Sequence, residues 1–106
     1  MNPGKFTKLL TLQARQTVRG SEGGFSYSWS DVDTVWAEKL PTTGREFEAA
    51  LAVRASISVV LRIYSYDGLD TAENRVLLDG KVHNLVHVAE DDLFGQYQLL
   101  YCEHTS

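Results

Sequence analysis

The stretch Arg54-Ala-Ser-Ile-Ser-Val-Val-Leu-Arg-Ile-Tyr64 decides the fold. Ala55, Ile57, Val59, Leu61 and Ile63 alternate with Arg54, Ser56, Ser58, Val60, Arg62 and Tyr64, so only one face is uniformly apolar. A period of two is the period of a strand, whose successive side chains point to opposite faces, and it predicts a half-buried β-strand over these residues. Burying the four large side chains of that face contributes roughly 6 to 12 kcal/mol gross, comparable with the net stability of a whole domain. This strand should anchor the core.

The same period recurs on either side. Near the N-terminus Phe6, Leu10, Leu12, Ala14 and Val18 share one parity against Thr7, Thr11, Gln13, Arg15 and Thr17, with Leu9 the exception. Gly20-Ser-Glu-Gly-Gly24 then turns the chain, and Phe25, Tyr27 and Trp29 form an aromatic stripe on one side of the next strand. A further short strand is predicted over Thr34 to Leu40. Downstream, Arg75 to Leu78, Val82 to Ala89 and Gln96 to Glu103 read as three more, divided by Asp79-Gly80 and by the acidic turn Glu90-Asp-Asp-Leu-Phe-Gly95. Asp-Gly between apolar runs is a strong hairpin signal. The expected fold is all-β: a small barrel of six to seven antiparallel strands forming a single domain over residues 1–106.

One segment breaks the pattern. Between Pro41 and Val53, Thr43-Gly-Arg-Glu46 matches a capping box, and Phe47, Ala50 and Leu51 follow at helical spacing. A short amphipathic helix is predicted there, inside a long excursion between two strands. It would either plug one end of its own barrel or project towards a neighbouring subunit or a central channel.

Composition narrows the function. With 14 Asp and Glu against 10 Lys and Arg, the net charge of −4 opposes a broad phosphate-neutralising surface. The single cysteine, Cys102, cannot form an intrachain disulfide, which argues against a secreted disulfide scaffold. The opening MNPGKFTKLL lacks the apolar run of a signal peptide, and no segment reaches the roughly 20 apolar residues of a membrane helix, so a soluble intracellular product is expected.

Candidate chemistry is sparse. His83 and His87 have four-residue spacing, but in a strand they stand roughly 13 Å apart, too far to share one zinc. Glu90, Asp91 and Asp92 lack the ordered spacing of a calcium loop and read as a solvated hairpin tip, as does Asp31-x-Asp33. Cys102 would need a base such as His104 beside it to act as a nucleophile. No phosphate loop, nucleophile elbow or framed carboxylate pair is present in the sequence, so no enzyme activity, metal or cofactor is expected. The stripe Phe25, Tyr27, Trp29 could stack nucleic-acid bases, but Ser26 and Ser28 rather than Lys or Arg intervene, and core packing is the expected role.

Taken together, several segments resemble the head-to-tail joining family of tailed phages, also called head completion, head closure or stopper proteins. They are Gly4-Lys-Phe with Leu10-Thr-Leu-Gln13, Thr34-Val-Trp-Ala-Glu38, Thr43-Gly-Arg-Glu-Phe47, Ser58-Val-Val-Leu-Arg-Ile-Tyr64, Arg75-Val-Leu-Leu-Asp-Gly-Lys-Val82 and Tyr97-Gln-Leu-Leu-Tyr-Cys-Glu103. Order, spacing and length agree over nearly the whole chain. Two departures stand out: Ser65-Tyr-Asp-Gly-Leu69 where members often carry an Arg-Pro-Gly turn, and Asp91-Asp-Leu-Phe-Gly95 where they often carry a basic stretch.

The resemblance implies a structural connector made in the host cytoplasm and built into the neck of the virion. It implies a twelvefold ring below the portal and adaptor proteins that retains packaged DNA and docks the tail through its tail-terminator protein. DNA would pass through the channel without specific binding, and no membrane would be involved. The long excursion, which lines or blocks the channel in such proteins, corresponds here to Leu40 through Val53, with Leu40, Thr43, Arg45, Glu46, Phe47, Glu48 and Leu51 as the channel or partner residues. Arg54, Arg62, Glu90 and Asp92 are candidate opposite-sign rims of the subunit interface, although surface ion pairs contribute only about 0 to 1 kcal/mol each. A tail-terminator or tail-completion ring is the alternative reading, and a nucleic-acid-binding barrel a third.

Overall fold

A computed structural model of the chain describes residues 6–20, 23–90 and 95–104. Six strands and one helix follow in the order β1 (Lys8–Arg19), β2 (Phe25–Lys39), α1 (Arg45–Val53), β3 (Val59–Tyr64), β4 (Asn74–Leu78), β5 (Lys81–Glu90) and β6 (Tyr97–His104). Every neighbouring pair is antiparallel, and the order β1-β2-β3-β6-β5-β4 closes on itself as a barrel. The all-β barrel expected from the alternation is what the chain forms. Closure removes the free edges at which sheets aggregate.

The interior is filled as the alternation requires. Leu10 and Leu12 from β1, Val59, Leu61 and Ile63 from β3, Val76 and Leu78 from β4, and Leu100 and Cys102 from β6 form one buried cluster with Ala37 and Leu85. At the β4–β5 turn, Asp79 and Gly80 both take positive φ, 52° and 76°. That pair of left-handed residues is what a two-residue hairpin matched to strand twist demands, and Asp-Gly supplies it at little steric cost.

Two sequence-based boundaries are corrected. The central strand begins at Val59, not Arg54, because α1 runs to Val53 and a turn follows it, with Arg54 N–H donating to the Ala50 carbonyl and Ile57 N–H to the Arg54 carbonyl. Ala55 is exposed, and Ile57 is buried beneath α1 rather than inside the barrel. The stripe and the segment from Thr34 are not separate strands but one 15-residue strand, β2. A bulge at Val32 shifts its register, so Leu12 faces Asp33 while Gln13 faces Asp31.

That bulge marks where the barrel ends and an arm begins. β1 pairs with β4 only from Leu10 to Ala14, and β2 pairs with β3 only from Ala37 to Lys39, yet β1 and β2 stay paired to Arg19 and Phe25. The surplus leaves the barrel as a two-stranded hairpin, and the molecule measures 51 × 27 × 26 Å. The turn expected over Gly20 to Gly24 includes Ser21 and Glu22, which lie outside the described residues; on either side of them Gly20 N–H donates to the Gly24 carbonyl at 2.6 Å.

Two measurements check this packing. Leu61→Ala, at a fully buried position, should lower the unfolding free energy by about 2 to 5 kcal/mol in urea titration. Burial pushes the Cys102 thiol up to about 12, whereas an unfolded thiol ionises near 8.5, so unfolding gains a proton-release advantage only above that lower value. Wild-type stability should fall between pH 9 and 11 by up to about 1.4 kcal/mol per unit more than that of Cys102→Ala. Parallel pH profiles of the two would sink this account of Cys102.

Candidate assembly surfaces

Helix α1 neither plugs the barrel nor projects from it; it lies against the outer wall. Val60 on β3 and Leu99 and Tyr101 on β6 point away from the interior, and with Leu40, Phe47, Ala50 and Ile57 they form a second buried cluster. The reason is in the strands: β3 and β6 are apolar on both faces, so their outer face also needs cover. The helix begins at Arg45 with Gly44 as its N-cap and no capping side chain, so the expected Thr43 box is not made. Glu46 and Glu48 sit in the first turn, where a carboxylate favours the helix dipole.

The excursion residues therefore divide. Leu40 and Phe47 are core and hold the segment down. Thr43, Arg45, Glu48 and Leu51 face solvent, and Glu46 is half-buried, 4.0 Å from Arg62. Arg62 bonds Glu38 across the β2–β3 pair at 2.8 Å, and Arg54 bonds Glu103 at 3.2 Å. The Ser56 hydroxyl also donates to Glu103, and these donors hold its carboxyl below the usual range. Arg54 and Arg62, expected at a subunit interface, are thus both engaged within the subunit on the wall beside α1. Glu90 ends β5, exposed, whereas Asp91 and Asp92 lie outside the described residues.

His83 and His87 point to opposite sides, because a register shift between Leu85 and His87 separates them. His83 is buried at a cavity of about 230 Å³ that Lys39, Lys81 and His104 also line, and burial holds its pKa down. His87 stacks on Tyr101 outside, with ring centroids 5.4 Å apart. Cys102 lies inside the barrel, its thiol directed to the Leu100 carbonyl, while His104 packs against His83.

The aromatic stripe is the largest departure from expectation. Phe25 and Tyr27 are 70% and 60% exposed, because their part of β2 belongs to the arm and not to the barrel. Arginines absent from β2 arrive from β1 and β4. Arg15 sits over the Tyr27 ring at 4.4 Å, Arg75 over Trp29 at 4.4 Å, and Arg19 pairs across from Phe25. The cross-strand pairs Ala14–Ser30 and Gln16–Ser28 make the opposite face small and polar. The missed signal was the odd parity Arg15, Thr17, Arg19 before the glycine turn, which a hairpin must place opposite Trp29, Tyr27 and Phe25.

The arm's root is locked by polar contacts. Gln13 donates to Asp31 at 2.7 Å and accepts from Arg75 at 2.7 Å, Asn74 donates to the Gln13 carbonyl, and Arg15 bridges to Glu73 at 3.1 Å. The Tyr66 hydroxyl donates to Asp33 at 3.0 Å, which raises the Tyr66 pKa. The carboxylates of Asp31 and Asp33, expected to be merely solvated, thus clasp the bulge.

A further aromatic group sits on the barrel wall. Phe6, Tyr64 and Tyr97 pack ring against ring at 5.1 to 6.1 Å, and beside them a concavity of about 540 Å³ is lined by Phe6, Thr7, Trp36 and Tyr64. Trp36 and Tyr64 are about half exposed.

Replacing Phe47 separates helix docking from barrel formation. Phe47→Ala should cost about 3 to 5 kcal/mol and release α1 to fast amide exchange. Amides of β4 and β5 should stay protected; their simultaneous loss would contradict an externally docked helix.

The family described as phage head completion protein matches residues 1–105. Among solved structures, a Shigella flexneri 2a protein known from its solution structure superposes with a TM-score of 0.70 at 22% identity, covering 100% of this chain and 98% of that one. A chain in the virion of a native gene transfer agent particle superposes with a TM-score of 0.61 at 20% identity, covering 92% and 93%. No curated protein matches the sequence.

Proposed function

Because this chain belongs to the phage head completion protein family, and so to the structural proteins of the virion, we propose that it is the head-to-tail connector of its particle. Copies of it form a twelvefold ring below the portal and adaptor proteins once DNA is packaged. The ring retains the DNA and offers the tail-terminator protein a docking face. The observation that carries this reading is the family match, which spans residues 1–105.

Physical features support the role. A channel through which DNA must later move should not grip phosphates, and the chain's net charge is −4. The excursion from Leu40 to Val53 is fastened by Phe47 and Ala50 while Thr43, Arg45, Glu48 and Leu51 remain exposed. Those exposed residues, with the half-buried Glu46, are the ones assigned to the channel and its partners. A segment held by one face and free on the other can meet a partner without unfolding. Arg54, Arg62, Glu90 and Asp92 are assigned to the contacts between subunits.

Particles lacking the protein should fill their heads, lose DNA and fail to take tails. The paired change Arg45→Glu and Glu48→Lys, at exposed positions, should leave stability within about 0.5 kcal/mol while reducing DNA retention. Infectious, tailed particles assembled without this protein would end the connector reading; binding to the isolated tail tube instead of the portal and adaptor would make it a tail-terminator.

A further inference from the structure

Past its root the arm shares no strand pairing with the barrel from which it leaves. Beyond Ala14, the last β1 residue paired with β4, it runs about five residues, or about 17 Å, with Arg15 N–H donating to the Glu73 carbonyl at its root and only its own two strands paired beyond that. A two-stranded hairpin standing alone is at best marginally stable in water, and this one exposes large rings on one face. Its composition matches a protein interface, where Tyr, Trp, Phe and Arg concentrate and carry most of the energy.

Charge and shape select the occupant. Residues 14–30 carry Arg15 and Arg19 against Glu22, a net of +1, so the rest of the chain carries −5 of the total −4. The concavity lined by Phe6, Thr7, Trp36 and Tyr64 is apolar and lies on that acidic remainder. Glu38 shares the outer face of β2 with Trp36, and Glu46 lies close by, with Arg62 between the two carboxylates. Arm and concavity are different surfaces of one chain, the arm built from residues 15–28 and the concavity from Phe6, Thr7, Trp36 and Tyr64. Such a pair makes head-to-tail contacts, the kind that closes rings.

We propose that the arm's aromatic face, led by Phe25 and Tyr27, docks in the Phe6–Trp36–Tyr64 concavity of the next copy of this chain. The inference rests on the ring reading above and says which surfaces make the ring. Nucleic acid is the less favoured occupant, since Arg15 is bridged to Glu73 and Arg75 is bonded to Gln13.

Cysteine pairs test it, because buried Cys102 does not compete. Necks assembled from the double variant Phe25→Cys, Thr7→Cys should give a ladder of disulfide-linked multimers on oxidation. The yield should exceed by about tenfold that of Ser28→Cys, Thr7→Cys, whose arm cysteine is on the opposite face. Equal ladders would overturn the docking. So would complete rings built from Phe25→Ser, Tyr27→Ser chains, which would spare the connector reading. Necks holding a single copy would remove the ring and the docking together. Retention of single-stranded DNA by the wild type but not by the serine variant would assign the face to nucleic acid instead.

Discussion

Everything in this molecule depends on β1 being paired along both edges over a short stretch. From Leu10 to Ala14 it bonds β2 on one side and β4 on the other, and that double pairing turns a sheet into a barrel. A closed barrel of short strands has room for only so much of β1 and β2. β1 is longer than its neighbour β4 and β2 longer than its neighbour β3, so the surplus must leave the cylinder. The bulge at Val32 is the place of departure, and the contacts of Gln13, Asp31, Asp33 and Tyr66 give it a defined root. The arm is a geometric consequence of closure.

A second constraint comes from β3 and β6. Their outer residues Val60, Leu99 and Tyr101 are as apolar as their inner ones, and water cannot be left on them. Helix α1 supplies the cover with two side chains, Phe47 and Ala50, and the remainder of its surface is free for other work. The chain thus has two cores on either side of one wall.

Much of this was legible in the sequence. Alternation and turn residues located part of each of the six strands and the barrel class, Asp79-Gly80 announced its hairpin, and Phe47 with Ala50 announced the helix. Two things were not legible. Alternation cannot tell which strands a closed sheet will contain and which will overshoot it, because an arm and a wall share the same period of two. Hence Phe25 and Tyr27 read as core. Nor does a single strand show what its neighbours contribute: Arg15 and Arg75 reach the rings of Tyr27 and Trp29 from β1 and β4, across distances in sequence that no local pattern spans. The amphipathic helix was visible, but the surface it covers was not, since Val60 alone hinted that the central strand had two apolar faces.

The arm also bears on how the chain avoids sticking to itself in the wrong way. Closing the barrel hides most backbone edges, but among the described residues the hairpin strands have no outer strand partner beyond Arg15 and before Ala37, and open edges template fibrils. Two residue choices restrain that. Arginines at positions 15 and 19 put charge repulsion between stacked copies, and serines at 26 and 28 deny the back face the dry interlocking that fibrils need. The arm is greasy on one side only, which is enough for one specific partner and too little for an endless stack.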